Sequence, residues 1–331
     1  MAQRDRSAPG LSRERRLAAT LIERLHLAPP VDVRGVAARF ADVEEAPIPG
    51  TCDGLAIGLA HPRPRIIVKP TGNTRRQRFT LAHELGHVLL PWHDGSNLAC
   101  LTRPGELSDY RASLAETEAN RFAAELLVPD TWLKALIAGH GVAEIGPLMQ
   151  AIEVAEVSAH VASLKLAGAL APGFGFALID GIRTVELVGQ SPGMNLALPE
   201  RGERLESGPL DRLSAYTETI TFGGRRVVWW SFHEAHVREQ QEEERAAKEV
   251  LGEIVARHSA DEQEYRRIYG CVSSVIGAAN SQAEHDGRTK ATELHARFRS
   301  RFAVKRELPQ TLVEDPAFVG WLERRAGELG R

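Results

Sequence analysis

Apolar residues recur at helical spacing over most of the chain and alternate as in strands at two places. Leu17, Leu21, Ile22 and Leu25 predict a helix over 13–27 that Pro29-Pro30 stops, and a short helix follows from Val33 to Phe40. Between Thr51 and Pro70, Leu55, Ile57 and Leu59 alternate with small residues, and Arg65-Ile66-Ile67-Val68 is rich in β-branched side chains. These predict two strands joined by His61-Pro62-Arg63-Pro64. A helix then runs from about Thr74 through Leu81, Leu85, Val88 and Leu89 to Pro91. Residues 91–111 read as a long loop, of the kind that often carries function. Ser113, with Glu116 three residues on, offers a capping box for a helix that carries Phe122, Leu126 and Leu127 and ends at Pro129.

Residues 130–170 read as helical throughout. Leu148, Ile152, Val154, Val157-Ser158, Val161, Leu164 and Leu166 have the cadence of a helix-turn-helix, and Pro172-Gly173 closes it. Beyond that point the pattern changes. Strands are predicted at Phe174–Ile179 and Thr184–Val188, then a hairpin of Thr217–Phe222 and Arg225–Phe232 around Gly223-Gly224. Charged helices follow over 234–258, over 261–278 and from Thr289. The chain therefore divides into a tail (1–12), a first domain (13–129), a helix-turn-helix-like unit (130–172) and a C-terminal α+β domain (173–331). The fold class is α+β, mainly helical, with small sheets.

Composition narrows the class. In 331 residues, 43% are hydrophobic and 26% charged, which excludes wholesale disorder. A net charge of -3 gives no reason to expect nucleic acid along the whole chain, so charge must be read by segment. No run reaches the roughly 20 apolar residues that span a bilayer, so no membrane partner is expected. The charged N-terminus does not read as a secretory signal. Cys52, Cys100 and Cys271 are few, odd in number and far apart, which suits a reducing cytoplasm.

The chemistry concentrates in His83-Glu84-Leu85-Gly86-His87. On a helix, positions i and i+4 share a face, so the two imidazoles can hold one Zn²⁺ while Glu84, one residue off, acts as general base. Zn²⁺ lowers the pKa of a bound water toward about 7. The apolar flanks on both sides of the motif argue that the helix is buried, where two His and a Glu need a partner. A hydrolytic site needs a third protein ligand. His93 lies past the helix end at the wrong spacing. Glu116 and Asn120 stand at i and i+4, so Glu116 can ligate while Asn120 orients a ligand. Glu118 points elsewhere around the helix and is the competing carboxylate.

The runs Arg78-Phe79-Thr80-Leu81-Ala82-His83-Glu84-Leu85-Gly86-His87 and Glu116-Thr117-Glu118-Ala119-Asn120-Arg121-Phe122-Ala123-Ala124-Glu125-Leu126-Leu127-Val128-Pro129 resemble the ImmA/IrrE metallopeptidases. The resemblance covers residues 15–170. It implies a zincin-like fold, zinc on His83, His87 and Glu116, and Glu84 as base. It also implies a partner helix-turn-helix repressor as substrate, whose cleavage derepresses DNA-damage, mobile-element or phage-defence genes. Residues 173–331 match no motif; sensor-like domains occupy that place in IrrE-like proteins and in the CapP-like peptidases of anti-phage operons.

Weaker features remain. Cys100, in the loop between the two ligand helices, could bind the metal as an inhibitory thiolate. His93 and Tyr110 could donate to an oxyanion. Over 286–306 the cations Arg288, Lys290, Arg297, Arg299, Arg301, Lys305 and Arg306 face only Asp286 and Glu293. With Phe298 and Phe302 interleaved, this stretch suits single-stranded DNA as an activator, or else a solvated helix whose rings pack inward. Of Trp229 and Trp230, one ring faces each side of a strand, one for the core and one for a possible ligand pocket. The rival to the enzyme is a DNA-binding regulator with a degenerate peptidase fold, although the second helix of the helix-turn-helix-like unit carries only Lys165 and His160 for phosphate contact.

Overall fold

The computed structural model describes residues 11–50, 52–93, 108–141, 144–194, 196–206, 208–285, 291–303, 305 and 308–329. It is an α+β molecule of two compact units, one ending at Ala169 and the other beginning at Leu170.

In the first unit, α1 (Arg13–Leu25) is followed by α2 (Val33–Ala37), capped by the Asp32 carboxylate, which accepts from the Gly35 N–H. Strands β1 (Asp42–Glu45), β2 (Gly54–Ile57) and β3 (Arg65–Val68) form a sheet in the order β1-β3-β2. β1 runs parallel to β3 from Asp42 beside Arg65, and β2 runs antiparallel with Ala56 beside Ile66. β2 is thus an edge strand. Helix α3 (Thr74–Leu89) starts at Asn73, whose side chain caps the Arg76 N–H.

Helix α4 (Ser108–Leu127) begins five residues before the expected Ser113, which therefore lies inside the helix and not at its N-cap. α4 buries Ala119, Phe122, Ala123, Leu126 and Leu127 completely. Gly86 of α3 lies at the crossing. A Cβ there would come 3.2 Å from the Phe122 ring and 3.3 Å from the Ala119 Cα, so glycine sets how closely the two helices approach.

Helices α5 (Asp130–His140), α6 (Ile145–Ile152) and α7 (Ala159–Ala169) follow, with one 3₁₀ turn at Glu153–Ala155 and a left-handed Glu156 between the last two. Ser158 caps α7 through Val161. Four elements meet in one ion network. Glu125 of α4 and Asp130 of α5 both bind Arg15 of α1 and Lys165 of α7, and Glu125 also accepts from the Asp130 N–H. Lys165, the cation available for phosphate in the helix-turn-helix reading, is spent on this network with its side chain only 10% exposed.

The second unit has a four-stranded antiparallel sheet of β4 (Phe174–Ile179), β5 (Val185–Gln190), β6 (Ser214–Phe222) and β7 (Arg225–Phe232), in the order β5-β4-β7-β6. A short α8 (Pro209–Leu213) precedes β6. Trp230 packs with Ala177, Ile179, Val228 and Leu210 and donates to Asp211 at 2.8 Å. Trp229 packs against Phe176, ring centres 5.0 Å apart. Both tryptophans are buried, which corrects the expectation that one of them lines an open ligand pocket.

Helices α9 (Glu234–Arg257), α10 (Glu262–His285), α11 (Ala291–Ala303), α12 (Gln310–Val313) and α13 (Pro316–Leu329) surround a separate core. It includes Leu251, Val255, Ile268, Val272, Phe298, Phe302, Phe318 and Trp321. Phe298 and Phe302 are therefore core residues. They offer no stacking surface for bases, which corrects that part of the nucleic-acid reading. Among the described residues, no helix is long and apolar enough to cross a membrane.

Candidate metal centre

The α3–α4 crossing brings three side chains to one point. His83 Nε2 and His87 Nε2 lie 3.0 Å apart. Glu116 places one oxygen 3.1 Å from His83 Nε2 and the other 3.3 Å from His87 Nε2. Spacing explains the two histidines, since residues four apart stack on one helix face. Packing at Gly86 explains Glu116, which α4 could not present if the helices stood further apart. Among the described residues, these three form the group of His, Cys, Asp and Glu close enough to hold one metal ion.

The hydrogen bonds behind the rings decide whether that group fits a cation. His83 Nδ1 is 2.9 Å from the Asn120 amide oxygen, an acceptor, so His83 carries its proton on Nδ1 and turns a lone pair toward Glu116. Behind His87, Nδ1 lies 3.0 Å from His93 Nδ1, and His93 Nε2 lies 2.9 Å from the Glu118 carboxylate. The Trp92 indole N–H donates to the same Glu118 oxygen at 2.7 Å. His87 donates through Nδ1 in this arrangement and also turns a lone pair inward. Two lone pairs and a carboxylate then converge, an arrangement suited to a cation: a metal ion or, in its absence, protons that the rings donate to Glu116. Ligands about 2.0–2.1 Å from a tetrahedral ion stand about 3.4 Å apart, close to the separations found. The residues present fit a metal ion.

The electrostatics agree. Burial pulls the His83 pKa down, but its hydrogen bond to Glu116 and the charges of Glu84 and Glu116 outweigh that and hold it above its ordinary value. A proton is the cation that these carboxylates attract when no other is present. Glu116 is held far below the usual carboxylate range. Burial opposes this, and hydrogen bonds from His83 and His87 overcome it. Glu84 moves the other way. Burial, reinforced by the nearby Glu116 charge, pushes its carboxyl up to about 7 against the opposing pull of His83 and the Ala56 N–H.

Glu84 is held by β2. The Ala56 N–H donates to its carboxylate, and Gly54 makes room for it. A Cβ at Gly54 would fall 2.5 Å from Thr80 Cγ2 and 2.7 Å from Glu84 Oε1. The resulting cleft, about 250 Å³, is lined by Asp53 to Ala56 of the edge strand and its lead-in, and by Phe79, His83, Glu84, His87 and Glu116. Sequence reasoning missed the part played by Gly54 and Ala56; an isolated glycine inside a strand pattern was the available signal.

Other expected residues fare differently. His93 is buried with both ring nitrogens engaged, so it has no N–H to spare for an oxyanion; burial, only partly offset by Glu118, holds its pKa below the ordinary value. Glu118 is turned to Trp92 and His93, away from the converging donors. Tyr110 lies in α4, with its side chain outside the described set. Cys100 lies outside the described residues, as do Arg288, Lys290 and Arg306. Arg297, Arg299 and Arg301 lie on α11 with Arg299 exposed, and Lys305 follows that helix half-buried. No protein with curated annotation matches the chain. The stretch that carries the converging donors and Glu84 does match a known family: residues 32–162 are similar to the peptidase family described as the IrrE N-terminal-like domain.

Proposed function

We propose that this chain is a zinc-dependent endopeptidase that cleaves a partner helix-turn-helix repressor, so derepressing stress, mobile-element or phage-defence genes in the cytoplasm. The observation that carries the reading is the convergence of His83 Nε2, His87 Nε2 and Glu116 beside a buried Glu84. Zinc, when bound by these three residues, supplies a Lewis acid for a carbonyl and lowers the pKa of water. The chain supplies the rest. Glu84 accepts a proton from the attacking water and returns it to the departing amine, a task suited to a carboxyl pushed up to about 7. Asn120 orients His83. The cleft lies along an edge strand, which suits an extended peptide segment rather than a folded surface.

The repressor substrate rests on the family likeness of residues 32–162. Residues 173–331 are the candidate sensor, and single-stranded DNA remains the candidate signal through phosphate contact alone. The engagement of Lys165 with Glu125 and Asp130 weighs against the rival DNA-binding reading.

The test is to incubate the zinc-loaded chain with the helix-turn-helix protein encoded nearest to its own gene. A discrete cut is expected, lost on chelation and restored by zinc. Glu84→Gln should keep zinc and lower the rate by at least about 100-fold. An intact repressor after incubation with the fully loaded chain refutes the substrate, and cutting by Glu84→Gln at the wild-type rate refutes the mechanism.

A further inference from the structure

We propose that His93 and Glu118 are a positioning pair that sets the tautomer of His87 and so aims its Nε2 lone pair at the metal-binding point. The inference rests on the reading of His83, His87 and Glu116 as a metal centre and assigns work to two residues outside it.

Glu118 is a carboxylate and can only accept. One of its oxygens takes the Trp92 indole N–H at 2.7 Å and sits 2.9 Å from His93 Nε2, so His93 carries its proton on Nε2. A neutral imidazole with a proton on Nε2 has a lone pair on Nδ1, and His93 Nδ1 lies 3.0 Å from His87 Nδ1. His87 must be the donor, which leaves its Nε2 free to bind. Geometry keeps the chain of bonds in register. Past the end of α3 at Leu89, the backbone turns, with the His93 N–H bonded to the Leu90 carbonyl, and this carries residue 93 back beside residue 87. The His93 side chain is 1% exposed and that of Glu118 18%, so water competes poorly for either bond.

The two metal-facing histidines thus reach the same tautomer by different means, His83 through an amide and His87 through an imidazole backed by a carboxylate. Outer partners of this kind typically change metal affinity by about 10- to 100-fold. The arrangement also gives Glu118 a role other than that of a rival ligand to Glu116.

Nitrogen-15 NMR of the imidazole rings in the metal-free full chain reads the tautomer directly, and competition with a chromophoric chelator reads zinc affinity. In the wild type, His87 should be protonated on Nδ1. His93→Phe keeps a ring and removes both bonds; it should give a mixed His87 tautomer and weaken zinc binding by about 10- to 100-fold. Glu118→Leu should shift both readouts in the same direction and remains informative if His93→Phe fails to fold. Glu118→Gln keeps an acceptor and should stay near wild type in both. A folded His93→Phe or Glu118→Leu with His87 unchanged on Nδ1 and unchanged zinc affinity overturns the proposal. A wild type that shows the expected tautomer but binds no zinc refutes the metal reading and leaves the positioning pair standing.

Discussion

The ion network that joins α1, α4, α5 and α7 makes a sharp prediction for Lys165→Met. Lys165 Nζ lies 2.7 Å from Glu125 and also binds Asp130, with side-chain exposures of 10%, 3% and 20% for the three residues. Removing one partner of a buried ion pair costs about 3–5 kcal/mol. Arg15 still contacts both carboxylates, so the lower end, about 3 kcal/mol, is expected. At about 1.4 kcal/mol per decade, amide hydrogen exchange in α4 and α7 should speed up on the order of 100-fold. The double variant Lys165→Met/Glu125→Leu removes both buried charges and should recover much of the lost protection.

A pH series adds an independent check. Burial raises the Asp130 pKa, but the Lys165 charge and hydrogen bond, with Arg15, hold it below the ordinary aspartate value. A carboxylate with a depressed folded pKa contributes stability above its unfolded pKa, about 3.9, and loses it as pH falls through the folded value. The stability gap between wild type and Lys165→Met should therefore begin to narrow only as pH falls below about 3.9 and should close below the depressed folded pKa of Asp130. Exchange in Lys165→Met within a few-fold of wild type near neutral pH, or a double variant no better than the single, would refute the reasoning.

Further predictions concern the centre and the candidate signal. Glu116→Ala should lose zinc affinity by far more than Glu118→Ala, as read by metal content after dialysis against a weak chelator; the reverse order would hand the ligand role to Glu118. Gly54→Ala should push β2 from Glu84, costing about 1–3 kcal/mol by overpacking and most of the turnover while zinc content stays intact; full activity with an unchanged melting temperature would count against it. Charge reversal of Arg297, Arg299 and Arg301 to Glu should abolish the binding of a labelled single-stranded oligonucleotide seen by anisotropy at low salt, and binding that survives the reversal would remove that surface from consideration.

Much of the site was legible because its key spacings are local. His83 and His87 share a helix face by arithmetic, and Glu116 with Asn120 does the same one helix later. What the sequence left open depends on where the chain turns. The contact of His93 with His87 needs the reversal after Leu90, and Glu118 acquires its partners only through that reversal. Strand β1 escaped notice because Asp42-Val43-Glu44-Glu45 has no apolar alternation; it pairs by backbone along β3, and Arg34 and Arg65 answer its glutamates. Phe298 and Phe302, at i and i+4, are compatible with a stacking surface or a packed face, and only the neighbouring helices decide for the core. The engagement of Lys165 was not legible because its partners Glu125 and Asp130 lie 40 and 35 residues away in sequence.

The grip of β2 on Glu84 has a consequence for how this enzyme candidate can be dissected. One part of the grip is a main-chain N–H at a position that is already alanine, and the other is the absence of a side chain at Gly54. Alanine scanning, the usual way to find what tunes a catalytic acid or base, would report nothing at Ala56 and would mistake Gly54 for a packing defect. Backbone chemistry is needed to see it. Replacing the amide of residue 56 by an ester through semisynthesis deletes the donor alone, and the Glu84 pKa should then rise further from about 7. The setting of the Glu84 carboxyl is thus carried by the course of the chain and is largely hidden from side-chain substitution.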